Sequence, residues 1–71
     1  MTQKEMILKH LEMFGSITPF KALEEYGCYR LSAVIFDLRA DKVNIETNYL
    51  TRKNRFGKSV TFAEYILKKG E

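Results

Sequence analysis

The chain has 71 residues, 45% of them hydrophobic, with one cysteine and a net charge of +3. That is one small domain, which buries only about 60% of its unfolded surface and has no staple: a lone cysteine closes no internal disulfide, and Cys28 with His10 is too small a set for a structural zinc. No apolar run reaches the roughly 18 residues of a membrane span, and Lys4, Glu5, Lys9, His10 and Glu12 break up the N-terminal stretch too often for a signal peptide.

A free thiol without an export signal fits a reducing cytoplasm. The charge is unevenly placed. Residues 1–28 hold three lysines against four glutamates, whereas residues 29–71 hold nine lysines and arginines against five acids. Basic character confined to one half favours a surface that faces a polyanion.

Thr2 with Glu5 three residues on is a capping-box pattern, so a helix is predicted over residues 2–14. Ile7, Leu11 and Phe14 share its inner face, Met6 and His10 flank it, and Gly15 ends it. His10 has no catalytic partner in view and reads as a boundary or surface histidine. Ser16 to Thr18 is long enough only for a short edge strand. Thr18-Pro19 is an N-cap followed by proline at the first helical position. The helix it opens, residues 19–26, turns Phe20, Ala22 and Leu23 inward, with Gly27 as its left-handed stop.

A third helix is predicted over residues 29–41, where Leu31, Val34, Ile35 and Leu38 recur at spacings of three and four. Two helices around so tight a glycine turn form a helix-turn-helix. Tyr29, Arg30, Ser32, Ala33 and Phe36 occupy the outward face and are the candidate base-reading residues. Arg30 suits guanine, Ser32 a hydrogen bond and Ala33 a thymine methyl. The competing structural role for Arg30 and Arg39 is pairing with nearby acids. Cys28, just before this helix, reads as a small buried apolar residue rather than a nucleophile.

The period then changes to two. Val43, Ile45 and Thr47 alternate with polar residues, which predicts a strand over residues 43–51. A turn over residues 52–58 holds four cations and no acid, and a second strand over residues 59–67 runs into Lys68-Lys69. The second strand alternates imperfectly, which calls for a bulge near Ala63 or Glu64, or burial on both faces. Arg39, Arg52, Lys53, Arg55 and Lys58 are the candidate phosphate-binding residues. The alternative is a solvated hairpin whose charge discourages edge-to-edge pairing.

The expected fold is α+β: three helices followed by a two-stranded hairpin, with Ser16-Thr18 as a short third strand. This order resembles the winged helix-turn-helix superfamily. More closely, the sequence is similar to small helix-turn-helix proteins encoded by phages, prophages and plasmids. The residues that carry the resemblance are Gly15-Ser16-Ile17-Thr18-Pro19, Ala22-Leu23, Tyr26-Gly27-Cys28 and Arg30-Leu31, then Ile35, Asp37-Leu38-Arg39, Ile45 and Thr47, and finally Lys53-Asn54-Arg55, Gly57 and Tyr65. Where such proteins tend to have glycine after the third helix, this one has Lys42. A left-handed lysine there costs on the order of 1 kcal/mol.

The resemblance implies a small double-stranded-DNA-binding regulator or accessory factor of a mobile element. Its third helix would enter the major groove, with the wing on phosphates. So small a footprint calls for a homodimer or a protein partner. The competing function is a protein-binding winged helix that docks on a host or phage protein through Tyr29, Ala33 and Phe36. No catalytic constellation, phosphate-cradling loop or metal cluster is present in the sequence, so no enzyme, cofactor or small-molecule substrate is expected.

Overall fold

Local signals set the first two helices. A computed structural model describes residues 1–68, so Lys69 of the basic tail lies outside the described residues. Helix α1 spans Gln3–Phe14. Thr2 is its N-cap, with the Glu5 N–H donating to Thr2 Oγ1 at 3.1 Å and the Thr2 N–H donating to Glu5 Oε1 at 2.8 Å. Strand β1 is Ser16–Ile17, one residue shorter than expected, because Thr18 instead caps helix α2, Pro19–Tyr26. Gly27 closes α2 at φ 64°, a conformation that a Cβ would strain.

Helix α3 covers Leu31–Ala40, two residues later in its start and one earlier in its end than the predicted 29–41. Arg30 occupies its N-cap position without a side-chain cap bond. Its exit is a Schellman turn. The Val43 N–H donates to the Leu38 carbonyl at 3.0 Å, the Lys42 N–H to the Arg39 carbonyl at 2.9 Å, and Lys42 sits at φ 70°. Lysine therefore occupies the left-handed position itself; the exit is not rebuilt around it.

Relief of that strain amounts to about 1–2 kcal/mol, less the ~0.4–1 kcal/mol of extra chain freedom that glycine brings to the unfolded state. Lys42→Gly is thus expected to stabilise the domain by about 0.5 kcal/mol, raising the melting midpoint by roughly 2–4 °C in a thermal scan. An unchanged or lower midpoint would contradict the strain.

Strands β2, Ile45–Lys53, and β3, Ser59–Leu67, form an antiparallel hairpin. Val43 precedes β2 rather than belonging to it, and β2 runs two residues beyond the predicted 43–51. The sheet order is β1-β3-β2, which puts β3 in the middle. Its register with β2 is unbroken from Ile45 opposite Leu67 to Lys53 opposite Ser59, so β3 has no bulge. Its irregular alternation comes instead from partial burial on both faces between Phe62 and Leu67.

The core is one cluster: Ile7, Leu11, Ile17, Ala22, Cys28, Leu31, Ile35, Leu38 and Ile45. Cys28 is buried in it as a free thiol, as its sequence context implied. Three expected core residues lie outside. Phe14 and Phe20 are 66% and 72% exposed, and Leu23 is exposed as well. Among the described residues, three helices and a small sheet leave no further element to cover them. His10 goes the other way. It is 7% exposed, shares a 2.8 Å hydrogen bond through Nδ1 with the Tyr26 hydroxyl, and packs between the Phe14 and Tyr26 rings. It is neither a surface nor a boundary histidine but a satisfied internal one. Among the described residues, no helix is long and apolar enough to cross a membrane.

Candidate nucleic-acid interface

The turn between α2 and α3 is short because Gly27 reverses the chain and Cys28 is drawn into the core. Tyr29 and Arg30 are left exposed in that turn, ahead of the first helical residue rather than on the helix face. Tyr29 is 85% exposed. On α3 the inward stripe of Leu31, Ile35 and Leu38 leaves Ser32, Ala33 and Phe36 outward, and Phe36 is 72% exposed. The five candidate base-reading residues therefore share the solvent side of the α2–α3 unit, three on α3 and two in the turn before it.

Arg39 is held differently from the other candidate phosphate contacts. Its Nε and one terminal nitrogen donate to the Ile45 carbonyl at 3.1 and 2.9 Å, and the same terminal nitrogen donates to Thr47 Oγ1 at 2.8 Å. The guanidinium also lies 6.0 Å from the centre of the Tyr65 ring. β2 is an outer strand, so Arg39 satisfies a carbonyl on its free edge and ties the end of α3 to the base of the hairpin. The acid pairing considered for Arg30 and Arg39 does not occur among the described residues, where the ion pairs join Lys4 with Asp41, Lys21 with Glu24 and Glu25, and Lys68 with Glu46. The Asp41 hydrogen bond raises the Lys4 ammonium above its ordinary pKa, and burial opposes it only in part.

The wing stands clear of the core. Every residue from Thr51 to Val60 is exposed. Arg52 and Lys53 end β2, Arg55 lies in the turn, and Lys58 leads into β3; none of the four is in an ion pair among the described residues. The turn is narrower than the predicted 52–58, covering Asn54 to Lys58. It is tightly built. Asn54 Oδ1 accepts from the N–H groups of Phe56 and Lys58, each at 3.0 Å, and the Asn54 N–H donates to the Lys58 carbonyl at 2.8 Å. Gly57, at φ 80°, completes it by donating to the Asn54 carbonyl at 3.0 Å.

Phe56 was not among the expected contact residues, yet it is 86% exposed at the tip. The signal for it is local: an aromatic between Arg55 and Gly57, in a turn whose geometry asks for no aromatic. Among the described residues, no group of acids, histidines and cysteine could hold a metal ion.

One-signed charge on a projecting hairpin beside a helix-turn-helix is the arrangement of a DNA-binding winged helix. No curated protein matches the chain. The family model described as "Winged helix-turn-helix domain" matches residues 2–70, nearly the full length, and that family supports DNA binding. Element order, sheet topology and family match agree: the chain belongs to the winged helix-turn-helix domain family.

Proposed function

We propose that the protein is a small double-stranded-DNA-binding regulator or accessory factor of a phage or other mobile element. Ser32, Ala33 and Phe36 of α3, with Tyr29 and Arg30 before it, face the major groove. Arg52, Lys53, Arg55 and Lys58 neutralise neighbouring phosphates. One observation carries this reading: the four wing cations are exposed and, among the described residues, have no acidic partner. Cations kept out of ion pairs retain their full attraction for a polyanion. Arg39 serves as a positioning residue, with a phosphate role only for the donors that it does not spend on Ile45 and Thr47. The mobile-element setting is supported by the sequence resemblance alone. A footprint this small favours action as a homodimer or with a protein partner.

The test is fluorescence anisotropy with mixed-sequence duplex DNA across a salt series. The expected result is non-specific binding at about 10⁻⁴–10⁻⁶ M, weakening by roughly 0.9 decades of affinity per decade of salt for each phosphate contacted. Absence of binding at low salt would reject the reading. The exposure of Tyr29 and Phe36 favours one alternative, docking on a protein through the α3 face. On that alternative, Tyr29, Ala33 and Phe36 are the anchor and the basic wing an electrostatic rim, so Phe36→Ala cripples partner capture.

A further inference from the structure

The wing tip combines three features that phosphate neutralisation does not require. The first is the ring of Phe56, almost wholly in solvent. A turn residue gains nothing for the fold by being aromatic, and this ring is not part of the core cluster. The second is rigidity. Both backbone donors beside the ring, from Phe56 and Lys58, are tied to the single Asn54 side-chain oxygen, and the loop is closed again by the Asn54–Lys58 and Gly57–Asn54 backbone bonds. The ring is therefore carried on a fixed mount, and little backbone ordering remains to be done on binding. The third is reach. The exposed end of the hairpin, beyond Leu50 on β2, continues for three strand residues before the turn, about 10 Å at ~3.3 Å per residue.

Cations flank the ring along the chain, Arg52 and Lys53 at the end of β2 and Arg55 and Lys58 in the turn, and no acid lies between Arg52 and Lys58. The ligand complementary to that set is a polyanion with apolar surface between its charges. Duplex DNA offers this at the floor of its minor groove, where base edges lie between two phosphate rows. An anchor for a protein partner would instead sit within a broad apolar patch, not on a narrow cationic tip.

We propose that Phe56 is a wedge that enters the minor groove next to the major-groove site of α3 and partly unstacks a base step. The wing then reads how easily DNA deforms, with preference for flexible TA and CA steps, in addition to binding phosphate. This inference rests on the DNA-binding reading given above.

The experiment uses the full chain and duplexes carrying 2-aminopurine, an adenine analogue that brightens when unstacked, beside a TA step or within a stiff A-tract. Wild type, Phe56→Ala and Phe56→Leu are compared by anisotropy and by 2-aminopurine emission at several salt concentrations. Wild type is expected to brighten the TA probe on binding. Phe56→Ala is expected to bind about 5- to 50-fold more weakly without brightening, and with an unchanged salt slope because every cation remains. Phe56→Leu, still an apolar wedge, is expected to retain part of the signal. An unchanged thermal midpoint for both variants would exclude a folding effect. Binding by wild type without brightening, or equal affinity for wild type and Phe56→Ala, overturns the wedge and leaves DNA binding standing. No binding of any duplex by wild type at low salt overturns both.

Discussion

Reversing two wing charges, Arg52→Glu with Arg55→Glu, is expected to lower affinity for duplex DNA by at least about 200-fold at 50 mM salt. The magnitude follows from counterion release. Each neutralised phosphate contributes roughly 0.9 × log(1/[salt]), about 1.2 decades at 50 mM, so two lost contacts remove more than two decades before repulsion by the new carboxylates is added. The salt slope should become shallower by about 2 for the same reason. Both arginines lie in the exposed span from Thr51 to Val60 and neither is in an ion pair among the described residues. Stability should therefore stay within about 0.5 kcal/mol of wild type, which separates loss of binding from loss of folding. Anisotropy and a urea melt on the same preparation check the two halves. Retained affinity in a folded variant would remove the wing from the interface.

The second large effect is on stability. Ile35 is fully buried in the middle of the α3 stripe, within the cluster that includes Leu31, Leu38 and Ile7. Truncation to alanine removes apolar contact and leaves a cavity, at a cost of about 2–5 kcal/mol. The better helix propensity of alanine returns at most ~0.7 kcal/mol. A domain of this size has a total of roughly 4–10 kcal/mol. Ile35→Ala should thus shift the urea midpoint by around a third to a half of its value with an unchanged m-value. A shift under a tenth would show that α3 is held by something other than its apolar stripe.

The parts of the fold that could be read from the sequence are those determined within a few residues. The Thr2–Glu5 box, the Thr18-Pro19 cap and the Gly27 stop each form from neighbours in the chain, and each is where the pattern put it. The start of α3 is not legible in the pattern because Arg30 caps without a side-chain bond, so nothing local separates Tyr29 and Arg30 from the helix. The apolar rhythm of α1 and α2 is real, yet it overstates burial at Phe14 and Phe20, since a rhythm cannot reveal that, among the described residues, no element covers them. The burial of His10 is hidden from the local pattern because its partner, Tyr26, is sixteen residues away. The hydrogen bonds of Arg39 are equally hidden from the local pattern. Its partners Ile45 and Thr47 lie across a change from helix to strand, and a basic residue near a basic turn looks like one more phosphate contact. The candidate site was legible as a charge pattern but not as a shape.

The sheet order has a consequence for synthesis. β1 is made within the first 17 residues, but among the described residues its strand partner is β3, through Ser16 opposite Ile66 and Ile17 opposite Tyr65. β2 also waits for β3. On the ribosome, the helices can form as they emerge, whereas two outer strands remain unpaired until residues near 67 have left the exit tunnel. Folding of the sheet is therefore a late, nearly all-at-once event that closes a loop of about fifty residues. A nascent chain that stalls before β3 has emerged is expected to expose unpaired strand edges to its neighbours.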